Sequence, residues 1–264
     1  MRNFFYFIIF FLILFILSFL FYLTEKNRTK TNIITIYDYY TDFNSILLDL
    51  TSELFKLYDK EYTFPVNNLN IHKKLIENHE ELLKEFENNY DKYDLINPGI
   101  FDSDFIDTTG NYGYFNIRYY GNINKNKFPI LEKLIKDEEN IVTCFYSIMD
   151  GEKYIPKHTG PYNGLLRYHY TLFSGNDKND FLQVKDKKLY WLEKEGFMFD
   201  DTYEHYVDKK SESMRVALIM DIKRKLPYPL NLLNNFILKY ISNNEYVLNN
   251  KPKLELKERE KIKF

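Results

Sequence analysis

The stretch Leu165-Leu166-Arg167-Tyr168-His169-Tyr170-Thr171-Leu172-Phe173 decides how this chain is read. Its aromatic and aliphatic side chains mark it as a β-strand. Strand side chains alternate between two faces, so Leu165, Arg167, His169, Thr171 and Phe173 share one and Leu166, Tyr168, Tyr170 and Leu172 the other. An arginine and a histidine inside an apolar run need a partner or a ligand, because an unpaired buried charge is costly. The strand therefore points to an interior suited to something anionic.

Working outward, further β-type runs cover Val142–Met149, Phe181–Val184, Leu189–Trp191, Phe197–Phe199 and Arg215–Ile222. Asp150-Gly151, Ser174-Gly175-Asn176-Asp177 and Glu195-Gly196 punctuate them. Many short strands at this spacing predict a sandwich or jelly roll. On the N-terminal side the pattern is helical. Asp42 is placed to cap a helix bearing Phe43, Ile46, Leu47, Leu50, Leu54 and Leu57 on one face, and a second helix bears Leu75, Ile76, His79, Leu82, Leu83 and Phe86. Asn97-Pro98-Gly99 and Thr109-Gly110-Asn111 mark a loop region, Tyr114–Tyr120 reads as a strand and Phe128–Lys136 as a short helix. After Pro227 and Pro229, Leu230–Ile241 is a closing helix, and the Lys/Glu tail beyond Lys251 reads as solvated or disordered. The fold class is mainly β with flanking helices (α+β).

Phe4–Leu23 is an almost unbroken apolar run, broken only by Tyr6, Ser18 and Tyr22. At about 1.5 Å per residue it reaches roughly 30 Å, the thickness of a bilayer core. It is longer than a signal-peptide apolar region, and Tyr22-Leu23-Thr24-Glu25-Lys26 offers no small-residue cleavage pattern. The run therefore reads as an uncleaved, single-pass membrane anchor. Arg2 on one side against Lys26, Arg28 and Lys30, offset by Glu25, leaves the side of the membrane open. The expected organisation is anchor and linker over residues 1–30, a helical and mixed part over 31–140, a β core over 141–229, and a helix with charged tail over 230–264.

Composition narrows the function classes. A formal net charge of −2 argues against a broadly basic nucleic-acid binder. A single cysteine, Cys144, excludes an intramolecular disulfide framework and a multi-cysteine zinc module. Of five histidines, His158, His169 and His205 fall in the β region. His158 sits in a loop marked by Pro156, Gly160 and Pro161, and His205 follows the turn Asp200-Asp201. Two imidazoles at the mouth of a jelly roll suit a non-haem iron site, whose usual set is two His and one carboxylate; satisfied core or surface histidines are the other reading. His72 and His79 read as packed or surface helix residues.

Taken in order, His158-Thr159-Gly160-Pro161, Leu166-Arg167-Tyr168-His169, Trp191, Gly196, Phe199-Asp200-Asp201, Glu204-His205, Arg215 and Asp221 resemble the aspartyl/asparaginyl β-hydroxylase domain family. The resemblance covers roughly Ile71–Pro229. It implies a double-stranded β-helix (jelly roll, cupin-like) and an Fe(II)- and 2-oxoglutarate-dependent dioxygenase that consumes O2. By the same resemblance His158 and His205 would ligate iron. Arg215, with Ser147, would take the distal carboxylate of 2-oxoglutarate, while Arg167 and His169 would lie near the carboxylate closest to the metal. Gly160 stands where the wider superfamily carries the ligating Asp or Glu, a departure that this family shares. Asp200 and Asp201 read as turn-forming or histidine-orienting residues.

The resemblance implies hydroxylation of a peptidyl Asp/Asn side chain, with a lipid acyl chain as the alternative substrate. A non-catalytic jelly-roll binding module and a sugar-binding or isomerase-type cupin are weaker alternatives. Arg215 speaks against the cupin, which has no use for a dicarboxylate clamp.

Overall fold

A computed structural model describes residues 42–97 and 111–259 of the protein. The expected anchor Phe4–Leu23, its linker and the Pro98–Gly110 loop lie outside these residues, and no helix among the described residues is long and apolar enough to cross a membrane. Helix α1 (Asp42–Tyr58), strand β1 (Thr63–Phe64) and helices α2 (Asn70–Glu77) and α3 (His79–Tyr90) come first. Strands β2 (Asn111–Tyr119) and β3 (Asn122–Ile123) and helix α4 (Pro129–Ile135) follow. The β core is β4 (Ile141–Asp150), β5 (Lys153–His158), β6 (Leu165–Phe173), β7 (Phe181–Val184), β8 (Lys187–Tyr190), β9 (Gly196–Phe199), β10 (His205–Lys209) and β11 (Arg215–Lys223). Helices α5 (Leu230–Ser242) and α6 (Glu245–Asn250) close the chain.

The strands form two antiparallel sheets, β1-β9-β6-β11-β4-β2-β3 and β5-β10-β7-β8. From β4 to β11 the chain passes repeatedly between the sheets, so β6 and β11 stand side by side at the centre of the larger one. This is the mainly β architecture with flanking helices that the patterning predicts.

Two apolar cores follow from the two faces of the central strands. Tyr168, Tyr170 and Leu172 of β6, with Val216, Leu218 and Met220 of β11, pack on the helices. Ala217 and Ile219 of β11 turn the other way, into a smaller core with Met149, Ile155, Leu182, Val184, Trp191, Phe199 and Val207 between the sheets. Alternation thus delivers Arg167, His169 and Thr171 to the inter-sheet side.

Several boundaries differ from the sequence reading. Lys153–His158 is a strand, not a loop. It is the edge of the smaller sheet, where Pro156 is tolerated because one side of the strand has no neighbour to serve. The second expected helix is two, divided at Asn78. Helix α1 buries Leu48, Thr51, Ser52 and Phe55, whereas Leu57 is exposed, so its packed face is rotated from the expected one. Of the tail, residues 251–259 pack on the domain. Leu254 and Leu256 are buried, and main-chain bonds join Lys257 to Asp94 and Arg259 to Lys92.

Candidate active site

His158 ends β5 and His205 opens β10, and the antiparallel register sets them directly opposite each other. Their ring centroids are 4.1 Å apart. Nδ1 of His158 lies 2.8 Å from the Pro156 carbonyl and Nδ1 of His205 lies 2.9 Å from that of Tyr203. A carbonyl only accepts, so in each neutral ring the proton sits on Nδ1 and the lone pair on Nε2, as metal ligation requires. Burial, reinforced by the neighbouring His158, pushes His205 down to about 3 and keeps it neutral. Among the described residues no group of three His, Cys, Asp or Glu is placed to hold a metal, so the chain offers a pair of imidazoles. That pair fits an iron(II) centre with open positions.

Position 160 explains the missing carboxylate. A Cβ on Gly160 would fall inside the carboxylate of Asp201, and the Gly160 N–H donates to the Asp201 carbonyl at 2.6 Å. A side chain there is excluded because a carboxylate from the next turn already fills the space. Burial raises the Asp201 carboxyl to about 7, although Arg167 opposes the shift.

Arg167 lies between two carboxylates, Asp201 at 3.1 Å from Nη1 and Asp221 at 2.9 Å from Nε. Asp221 is its cross-strand partner on β11 and also accepts from the Thr143 hydroxyl at 2.6 Å. Burial alone would lower the pKa of Arg167, but Asp221 and Asp201 outweigh it and raise it. Arg167 is therefore a partnered cation, held in one orientation by two carboxylates.

Arg215 differs in kind. It is 1% exposed, and no carboxylate pairs with it among the described residues. Its Nη1 donates to Ser147 Oγ at 3.1 Å, its guanidinium stacks 4.8 Å from the Trp191 ring centre, and its Nε has no acceptor. Burial pulls it down to about 10. Beside it, the Trp191 indole N–H donates to His169 Nδ1 at 3.2 Å. His169 Nε2 and Thr171 Oγ1 are buried without partners. Burial, with the charges of Arg215 and Arg167, holds His169 well below its ordinary value. Three polar side chains, Arg215, His169 and Thr171, thus keep buried polar atoms without a partner, which fits a small dianion.

Asp200, wholly buried, serves the scaffold. It accepts from Arg224 Nη1 at 2.8 Å and from Asn163 Nδ2 at 2.5 Å, and its other oxygen takes the Thr202 hydroxyl at 2.7 Å. This ties the loop after His158 to the turn before His205. His72 of α2 and His79 of α3 face the outer side of β6, bonded to the hydroxyls of Tyr168 at 2.7 Å and Tyr170 at 2.9 Å, and are packing residues.

The structure therefore brings Ser147, His158, Arg167, His169, His205 and Arg215 to one inter-sheet region. Sequence reasoning assigned no role to Trp191, Thr171 or Asp221. Thr171 shares the alternating face with Arg167 and His169, and Trp191 is the single tryptophan; Asp221 needed the β6–β11 register.

Known proteins resemble this chain in sequence. The chain is 35% identical over 96 residues to an ornithine lipid ester-linked acyl 2-hydroxylase of Rhizobium tropici, covering 36% of this chain and 34% of that protein. It is 34% identical over 77 residues to the human aspartyl/asparaginyl β-hydroxylase, covering 29% of this chain and 10% of that protein. The aligned parts thus span a third and a tenth of those relatives. Among solved structures, a Pseudomonas putida prolyl-4-hydroxylase aligns with a TM-score of 0.39 at 9% identity, over 68% of this chain and 100% of that one. The family model for aspartyl/asparaginyl β-hydroxylases matches residues 72–225, more than half the chain, and the chain belongs to that family.

Proposed function

We propose that the chain is an Fe(II)- and 2-oxoglutarate-dependent dioxygenase that hydroxylates a C–H bond. The observation that carries this reading is Arg215, a buried guanidinium without a carboxylate, next to the orphaned Nε2 of His169. Leaving such a charge uncompensated costs several kcal/mol by order of magnitude, and a bound dicarboxylate removes that cost. The order β4-β11-β6-β9 over β5-β10-β7-β8 supports the double-stranded β-helix.

His158 and His205 would hold the iron through Nε2, each ring oriented by its main-chain acceptor. When bound, iron, 2-oxoglutarate and O2 supply the oxidation of C–H to C–OH, coupled to decarboxylation of the cosubstrate. Arg215, steadied by Ser147 and the Trp191 face, takes the distal carboxylate. His169 donates from Nε2, and Arg167, fixed by Asp201 and Asp221, sets the polarity of the inner wall. The apolar inter-sheet core keeps water from the remaining volume.

For the substrate, the family's name and the human relative speak for a peptidyl Asp or Asn side chain, and the Rhizobium relative for a lipid acyl chain. The exposed apolar face of α5 favours the lipid. The first test is anaerobic titration of the protein with Fe(II) and 2-oxoglutarate, following the visible charge-transfer band. A band that His158→Ala abolishes supports the reading. No band in folded protein overturns it in favour of a binding module.

A further inference from the structure

Ten large hydrophobic side chains are exposed among the described residues, and half of them fall between Tyr228 and Leu248. On α5 they form a row at i, i+4 and i+8: Leu232 (51% exposed), Phe236 (65%) and Tyr240 (42%). The opposite face of α5 buries Asn234, Ile237, Leu238 and Ile241, so the row is surplus to the core. Residues 227–244 contain Lys239 as their single charge and no acid, in a chain that is 28% charged. Along the row runs a polar one, Asn231, Asn235 and Lys239. Asn231 and Asn235 of this row line a cavity of about 250 Å³ together with Asn140, Leu226, the carboxylate-paired Arg224, and Lys223 and Lys225. No carboxylate lines this cavity, and neither lysine makes an ion pair among the described residues.

We propose that this face of α5 is a membrane-contact surface. Leu232, Phe236 and Tyr240 enter the interface of a bilayer, and Lys223 and Lys225 take the phosphates of anionic lipids in the same leaflet. An apolar stripe edged by cations without acids is the pattern of a helix lying in the membrane plane, and each lysine near an anionic surface adds attraction. A protein partner would need acids opposite the lysines and a pocket for Phe236, whereas a bilayer supplies both chemistries without a specific fit. The run Phe4–Leu23, expected to be a membrane span, would hold the domain near such a surface.

The face is also coupled to the site. Asn234, on the inner side of α5, accepts from the Tyr162 hydroxyl at 2.9 Å and donates to the Gly164 carbonyl at 2.9 Å. These residues belong to the loop that follows His158, so that loop stands about one helix diameter, roughly 10 Å, from the docked lipid. The consequence, which rests on the hydroxylase reading, is that a membrane lipid is the substrate within reach.

The test uses the full chain in phosphatidylcholine vesicles with and without phosphatidylglycerol. Because Cys144 is buried, Leu232→Cys, Phe236→Cys and a control, Asn179→Cys, take a nitroxide label specifically. The control lies beyond the far end of β6, about 27 Å along that strand from Leu165. We expect collision with O2, relative to a water-soluble nickel relaxant, to rise several-fold at 232 and 236 when phosphatidylglycerol is present, and not at 179. Lys223→Glu with Lys225→Glu removes the dependence on phosphatidylglycerol. Labels that stay aqueous at 232 and 236 overturn the proposal. So do labels shielded from both relaxants, which would mean that protein, a second copy or this chain's own N-terminal run, covers the helix. The Fe(II) and 2-oxoglutarate titration of unlabelled protein in the same vesicles separates failure of docking from failure of the hydroxylase reading.

Discussion

The indole N–H of Trp191 donates to Nδ1 of His169 at 3.2 Å. Indole only donates, so Nδ1 must accept and the neutral ring carries its proton on Nε2, the atom left without a protein partner. The same indole supports the Arg215 guanidinium on its face. One side chain therefore orients two of the groups assigned to the cosubstrate, His169 and Arg215.

Trp191→Phe keeps an aromatic face but deletes the donor. We expect 2-oxoglutarate binding to weaken about tenfold, the worth of one hydrogen bond, with metal affinity unchanged. Calorimetric titration of the Mn(II)-loaded protein reads both. Nitrogen-15 NMR of His169 should show the proton no longer confined to Nε2. An unchanged tautomer would remove the role assigned to the indole.

Loss of Arg215 and loss of a metal histidine should be separable. Arg215→Ala removes charge-assisted bonds, so the 2-oxoglutarate requirement should rise roughly 10- to 100-fold while iron still binds. Arg215→Lys should recover little, because an ammonium lacks the planar fork. His158→Ala and His205→Ala should abolish metal binding outright. If Arg215→Ala binds 2-oxoglutarate as the native protein does, the assignment of that arginine fails.

Asp200 predicts a stability effect. Asp200→Ala strands the buried Arg224 and releases Asn163 and Thr202, a loss of about 3–5 kcal/mol in denaturant unfolding. Asp200→Asn retains the shape but not the charge and should fall between. A change near zero for the alanine variant would show that Asp59, 3.4 Å from the same arginine, suffices.

Much of this was legible in the sequence because alternation is a strong constraint. Once Leu165–Phe173 is read as a strand, Arg167, His169 and Thr171 must share a face, and they do. Strand β5 was not legible, since Lys153, Pro156 and Lys157 lack the apolar alternation of an inner strand and an edge does not demand it. Leu57 reads as core from spacing, but α1 packs through Leu48 and Phe55, a choice made by what lies opposite. The pairing of Arg167 with Asp201 and Asp221 depends on register and on the close approach at Gly160, which no local pattern encodes.

Stability of the metal-free protein should rise with pH between about 3 and 6.5. His205 is held at about 3 and His169 is lowered too, while unfolded histidines titrate near 6.5, so in this window the unfolded chain binds more protons. The contribution is complete above that window and is lost as pH falls. Asp201, raised to about 7, acts in the opposite sense, favouring the fold at low pH and losing that effect as pH rises from about 4 to 7. Burial also lowers His72 and His79 and raises Glu85, so four histidines against two carboxyls leave a net rise. His205→Gln should flatten it by up to roughly 5 kcal/mol, measured as unfolding free energy at successive pH values. An unaltered slope would mean that His205 is not desolvated.

The contact between Gly160 and Asp201 yields a coupling that can be measured directly. Gly160→Ala puts a methyl group into the Asp201 carboxylate, so the carboxylate must move and loosen its hold on Arg167. Overpacking of this kind costs about 1–3 kcal/mol. Asp201→Gly empties the same space, and Arg167 retains Asp221. Combined, the two changes no longer conflict, so the double variant should be more stable than the sum of the single effects by about 1–2 kcal/mol. Gly160→Asp in the Asp201→Gly background goes further, returning a carboxylate to that volume from the β5 side, two residues after His158. If the space is what excludes a side chain at 160, this variant folds and binds metal at least as tightly as the native protein, whereas Gly160→Asp alone does not. Additive single effects would show that Gly160 is required for some reason other than the carboxylate that faces it.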